Sequence, residues 1–295
     1  MDTSKIITVQ IINAFTANNE GGNPAGVVLH ADHLSPENKL EIAKKVGLSE
    51  TAFVSKSASE AFKLDFYTPT KQIAHCGHAT VATFSYLKQK GLLQDVNSSK
   101  ETIDGPRKIK IIGEDAFMEQ LAPKYTSLET YEARILNSLK LKKSELLPNT
   151  SIQLVHTGNS FVIIPIKNPE LLKNLQPDFE LIKGLSEELE AIGYYAFTVD
   201  TSDRNSHATT RMFAPSYGIP EEAATGMAAG PLACYLHDVI QIPQERYNIL
   251  QGHFMKHPSP SLIKVDLTIE KGKITQLMAG GKGVVKEERT ITLDH

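Results

Sequence analysis

Two segments, residues 78–90 (HATVATFSYLKQK) and 225–237 (TGMAAGPLACYLH), have helical length but lack a polar face along most of it. Small or apolar residues fill almost every position around each helix, and such a helix must be enclosed by protein. The neighbourhoods of the two segments also match. Phe66-Tyr67-Thr68-Pro69 precedes the first much as Met212-Phe213-Ala214-Pro215 precedes the second. Tyr86-Leu87 and Tyr235-Leu236 stand near their ends, and Gly22-Asn23-Pro24-Ala25-Gly26-Val27-Val28 resembles Gly158-Asn159-Ser160-Phe161-Val162-Ile163. The order Gly-Asn, strand, strand-Pro, buried helix thus occurs twice. It reads as an internal duplication, with two lobes that each wrap strands around one central helix.

Local signals fill in the remainder. Strand-like runs lie at 8–12, 27–29, 62–66, 108–112, 161–164, 195–199, 262–269 and 290–293. Phe62-Lys63-Leu64-Asp65-Phe66 alternates as a half-buried strand does. Ser35-Pro36 is expected to cap and open a helix that stops at Gly47. Ser127 is expected to cap a second helix through about residue 139, and a third is expected over 179–192, ending at Gly193.

A chain of 295 residues has room for two such lobes and buries about three-quarters of its unfolded surface. Its net charge of -3, without basic blocks, argues against nucleic-acid binding. No apolar run approaches the ~18 residues of a membrane span. The opening MDTSKIITVQII lacks signal-peptide layout, so a cytoplasmic protein without membrane partners is expected.

Both central helices open on small-residue turns, Cys76-Gly77-His78-Ala79-Thr80 and Ala223-Ala224-Thr225-Gly226-Met227. Unsatisfied N–H groups and the helix dipole make such starts suited to anions. If the lobes are related by a pseudo-two-fold axis, the two starts are expected to share one cleft and hold a carboxylate.

The stretches GGNPAGVVL (21–29), GLSETAFV (47–54), FYTPTKQIAHCGHAT (66–80), MFAPSYGIPEEAATGMAAGPLACYL (212–236) and QGHFMKHPS (251–259) resemble the phenazine-biosynthesis PhzF-like isomerase family. That family shares its fold with diaminopimelate epimerase. The resemblance implies an α+β fold of two pseudo-symmetric lobes, each a curved, mainly antiparallel sheet around a central α-helix. The N-terminal lobe would take residues 1–118, with 280–295 returning to it, and the C-terminal lobe 119–279. It further implies a homodimer and cofactor- and metal-independent proton transfer on a small carboxylate-bearing metabolite.

The resemblance also implies site residues. The glutamate of the Leu-Ser-Glu-Thr stretch falls on Glu50, the general acid/base, and the histidine of Cys-Gly-His-Ala on His78, beside Gly77. Where the family reads Glu-Asp-Pro-Ala-Thr-Gly-Ser-Ala, this chain has Glu222 for Asp, Ala223 for Pro and Met227 for Ser, and His257 replaces a later Arg. Glu222 joins Glu50 and His78 as a catalytic candidate. Gly77, Thr225, Gly226, Met227 and Asn23 are the candidate substrate contacts. Independently of the family, moving a proton between carbons needs one group able to take it and return it. A carboxylate near Leu48 and Phe53 suits that task, because desolvation favours its protonated form.

The cysteines separate this reading from a neighbouring one. Racemases on this fold use two thiols, one on each side of the α-carbon. Cys76 occupies the first position, but the second is Ala223, and Cys234 lies well inside the second helix. A racemase would have to pair Glu50 with Cys76, and a non-catalytic small-molecule binder remains a third possibility. His75, Cys76 and His78 cluster, with His207 and His253 elsewhere, yet no HExxH, paired CxxC or ordered carboxylate set accompanies them. No metal is expected.

Overall fold

In the computed structural model, which describes residues 5–93, 96–201 and 203–293, the chain divides into two compact units. One comprises Met1–Glu119 with Gly280–His295, the other Gln120–Ala279. Residues 1–4 and 294–295, which fall in the ranges expected for the N-terminal lobe, lie outside the described residues.

The first unit contains β1 (Lys5–Ala14), β2 (Asn23–Val28), α1 (Pro36–Val46), β3 (Thr51–Ser55), β4 (Phe62–Tyr67), β5 (Gln72–Ile73), α2 (Gly77–Gln89), β6 (Asn97–Thr102), β7 (Gly105–Ile112) and most of β8 (Asp115–Gln120). The second contains β9 (Lys124–Ser127), α3 (Glu132–Ser138), β10 (Gln153–His156), β11 (Ser160–Pro165), α4 (Pro169–Lys173), α5 (Phe179–Glu188), β12 (Gly193–Thr198), β13 (Ala208–Ala214), β14 (Ile219–Glu222), α6 (Gly226–Asp238), β15 (Arg246–Gln251) and β16 (Ser261–Glu270). The long β17 (Lys273–Leu293) begins in the second unit and finishes in the first.

The pairings repeat. In the first unit β1 and β2 are antiparallel, β2 and β3 parallel, β3 and β4 antiparallel, β4 and β6 parallel, and β6 and β7 antiparallel. The second unit follows the same order through β10, β11, β12, β13, β15 and β16. The α+β fold with duplicated lobes is therefore present, and the two apolar segments are its paired helices, α2 against β1–β3 and α6 against β10, β11 and β16.

Each buried helix returns hydroxyls to backbone groups. In α2 the hydroxyls of Thr80 and Thr83 donate to the carbonyls four residues earlier, Cys76 at 2.5 Å and Ala79 at 2.7 Å. Ser85 Oγ accepts from Gly283 N–H at 3.0 Å, and Gln89 donates to the Gly283 carbonyl at 2.7 Å. Gly283 is required there, since a Cβ would fall 2.7 Å from that of Ser85. In α6 the Tyr235 hydroxyl donates to the Ser151 carbonyl at 2.7 Å, and Gln120 lies in the space a side chain at Gly230 would occupy.

The helix of 36–46 forms as expected. Ser35 Oγ accepts from Asn38 N–H, and Gly47 closes it at φ 71°. Two expectations are corrected. Ser127 ends strand β9, which pairs with β10, and α3 starts only at Glu132 with Tyr131 at its cap. The helix of 179–192 stops at Glu188 and is capped by Asp178, while Gly193 opens β12. At Ser127 strand pairing claims a residue that local propensity left open, and at α5 the chain turns out of the helix through the left-handed Glu190 (φ 50°) before β12. Replacing Ser35 with Ala should cost about 1 kcal/mol in urea unfolding. Ser127→Ala should stay within about 0.5 kcal/mol.

Candidate active site

Glu50 sits between the stop of α1 and the start of β3. Its carbonyl accepts from Gly26 N–H at 3.1 Å, an approach of β2 that only glycine permits, because a Cβ would lie 2.8 Å from Thr51 Oγ1. Its carboxylate turns inward, with the residue 9% exposed, and Oε2 lies 3.2 Å from Nε2 of His78. His78, 4% exposed, is the second residue of α2, and its Nδ1 lies 3.5 Å from Cys76 Sγ. One imidazole thus joins a carboxylate and a thiol. Burial raises the Cys76 pKa, only partly opposed by His78, and keeps the sulfur as S–H. The two ring nitrogens of His78 thus face different groups, Nδ1 the thiol and Nε2 the carboxylate.

Atoms of Glu50, Cys76 and His78 lie within 4.8 Å of one another, a spacing that could hold a metal ion among the described residues. The neighbouring His75 faces away from this group, since its Nδ1 meets Lys100 Nζ at 3.1 Å. His207 accepts from Asn248 N–H, and His253 Nδ1 lies 3.1 Å from the Gln251 carbonyl. Asn23 is buried at the start of β2, opposite Ala14, and Gly77 is the first residue of α2.

In the second unit the start of α6 is held by Gln251, which is fully buried. Its Oε1 accepts from Thr225 N–H at 3.0 Å and from Tyr195 OH at 2.9 Å. Its Nε2 donates to the Glu222 carbonyl at 2.7 Å and to Thr225 Oγ1 at 3.1 Å. The Thr225 hydroxyl donates in turn to the Glu222 carboxylate. The N–H and the hydroxyl of Thr225 are thereby both committed within the second unit. Arg211 grips Glu221 with two bonds of 2.8 and 2.9 Å, which anchors β14 where Glu222 ends it. Met227 Sδ lies 4.0 Å from Asn159 Nδ2, the counterpart of Asn23 in the repeat.

The glutamate has no duplicate. With Gly158-Asn159 aligned on Gly22-Asn23, the registers Gly26↔Thr51 and Val162↔Tyr194 put Gly193 in the place of Glu50. A Cβ at Gly193 would run into the Phe213 carbonyl.

These features agree with what the chain resembles. The family model described as phenazine biosynthesis-like protein matches residues 12–289. The chain belongs to that family. It is 32% identical to an uncharacterized isomerase of Clostridium acetobutylicum, over 96% of this chain and 97% of that one. It is 30% identical to the trans-2,3-dihydro-3-hydroxyanthranilate isomerase of Pseudomonas fluorescens, over 96% and 98%. A PhzF-family structure from Bacillus anthracis superposes with a TM-score of 0.88 at 28% identity, covering 97% of this chain and 99% of that one. A hydroxyproline epimerase from Agrobacterium vitis shares the fold at a TM-score of 0.59 and 12% identity, over 100% of this chain and 95% of that one.

One residue beside this site had no sequence signal. Lys100 lies on β6, whose sequence Asn97-Ser98-Ser99-Lys100-Glu101-Thr102 reads as exposed, yet it is 0% exposed. Its ammonium donates to Thr80 Oγ1 at 2.6 Å, lies 3.1 Å from His75 Nδ1 and stands 4.8 Å over the Phe66 ring. Burial lowers its pKa to about 7, and burial with the Lys100 charge holds His75 well below the usual imidazole range. Between pH 7 and about 10 the unfolded chain holds a proton here that the folded chain has released, so this group's contribution to stability rises with pH. Relative to Lys100→Met, the wild type should gain up to about 1 kcal/mol per pH unit from pH 7 to 9 in urea titrations. A constant difference across that window would exclude the lowered pKa of Lys100.

Proposed function

We propose that this isomerase moves a proton between carbons of a small carboxylate-bearing metabolite, with Glu50 as the base that takes the proton and the acid that returns it. The observation that carries the reading is the buried contact of Glu50 Oε2 with His78 Nε2, backed by Cys76 on the other imidazole nitrogen. As a carboxylate, Glu50 has His78 Nε2 at 3.2 Å and can accept a proton from an activated C–H. As a carboxylic acid it can deliver that proton to another carbon of the same ligand, leaving the protein unchanged. His78 holds the carboxyl group in one orientation, and Cys76 meets the imidazole at its other nitrogen.

Racemisation by Glu50 and Cys76 is disfavoured by distance. Two groups attacking opposite faces of one carbon, each within about 3–3.5 Å, stand roughly 6–7 Å apart. Here the three groups fall within 4.8 Å. A homodimer belongs to the same proposal and is tested by sedimentation.

The test is deuterium uptake from heavy water into candidate acids, beginning with trans-2,3-dihydro-3-hydroxyanthranilate. Glu50→Gln should fold normally and lose roughly 10²–10⁴-fold in exchange rate. Full exchange in the folded variant sinks the proposal, and binding without any exchange in the wild type marks a binding protein. Exhaustive chelation should change neither exchange nor the thermal midpoint. Loss that zinc restores would instead assign a metal to Glu50, Cys76 and His78.

A further inference from the structure

A lysine buried to 0% exposure is among the least expected residues in a protein interior, since an apolar side chain of similar length would fill the space without desolvating a charge. At Lys100 each of the three N–H bonds has its own acceptor: Thr80 Oγ1, His75 Nδ1 and the face of Phe66. None of these is a carboxylate, so the amine is held by polar groups rather than by an ion pair. The neutral state of His75 leaves its Nδ1 able to accept.

The bonds continue in one direction. Thr80 accepts from Lys100 and passes its own proton to the Cys76 carbonyl. Cys76 is the residue on which α2 begins, its sulfur meets His78, and His78 meets Glu50. Parallel pairing of β6 with β4 (Phe62↔Lys100) fixes the lysine at its root. We propose that Lys100 is a positioning residue for the proton-transfer pair: through Thr80 and His75 it pins the first turn of α2 to β6, and so sets the approach of His78 to Glu50. This rests on the Glu50–His78 reading above. A mere space-filling role would not place the Lys100 nitrogen on both His75, the neighbour of Cys76 in sequence, and Thr80, which is bonded to the Cys76 carbonyl.

The test does not need the substrate. Histidine ring nitrogens are labelled with ¹⁵N, and the His78 signals are assigned by their loss in His78→Gln. The groups facing His78 are Glu50 and Cys76, and those acting on Lys100 are His75, Cys76, Asp104 and Arg107. Lys100→Met removes the ammonium, and Thr80→Val removes the connecting hydroxyl while keeping the shape. Each single variant should change the His78 ring shifts and move its titration midpoint by about 0.5 pH or more, and the double variant should move it no further, as members of one chain of contacts behave. Unchanged His78 signals in either folded variant, or two effects that simply add, overturn the proposal. If Lys100→Met fails to fold, Thr80→Val alone decides it. The outcome is independent of the Glu50→Gln exchange result: if that variant keeps its exchange while the His78 signals still respond, the proton-transfer reading fails and the pinning stands.

Discussion

Everything in this molecule follows from the need to surround two helices that have no face for water. A backbone buried on all sides must find its hydrogen bonds internally, and so must every hydroxyl it carries. The helices meet this need by returning Thr80 and Thr83 to their own carbonyls, and by giving Ser85 and Tyr235 to backbone groups of neighbouring segments. The first turn is the exception in any helix, because its N–H groups have no partner within it. The candidate chemistry gathers at those turns. Where α2 starts, Cys76, His78 and Glu50 converge; where α6 starts, Gln251 consumes all four of its hydrogen-bonding positions to hold Thr225 and Glu222.

Duplication supplied the same framework twice, but the two copies were filled differently. The position before β3 carries a carboxylate, whereas its counterpart before β12 is a glycine with no room for a Cβ. The carboxylate therefore belongs to one copy, and the other carries Glu222, Ala223 and Met227 where the resemblance leads one to expect Asp, Pro and Ser.

The sequence reveals this framework wherever the signal is local. The buried helices, the Ser35 cap and the Gly47 stop are legible because composition and capping are properties of neighbouring residues. Glu50 and His78 are marked by their motifs, but their contact is not, since it joins residues 28 positions apart. Ser127 misleads because its strand partner lies far along the chain, and the end of α5 because a non-glycine residue, Glu190, takes the left-handed turn that stops it. Lys100 is the extreme case. Its strand is polar along its whole length, and only the parallel pairing with β4 and the position of Thr80 turn it inward. The role of Gln251 is hidden for the same reason, as its partners come from β12, β14 and the start of α6.

The path of β17 bears on how such a chain can be assembled at all. The strand opens in the second unit and then pairs with β1, from Ala14↔Gly283 to Lys5↔Leu293. The first unit thus cannot complete its sheet until synthesis has passed residue 280, whereas the second has its segments in hand earlier. Contacts this distant in sequence form slowly, because the loop that joins their ends must first be closed. During translation the second unit is therefore placed to fold ahead of the first, and β1 must wait with an open edge. β1 is apolar at six of its ten positions, Ile6, Ile7, Val9, Ile11, Ile12 and Ala14, so its edge is one that other strands could join until β17 arrives.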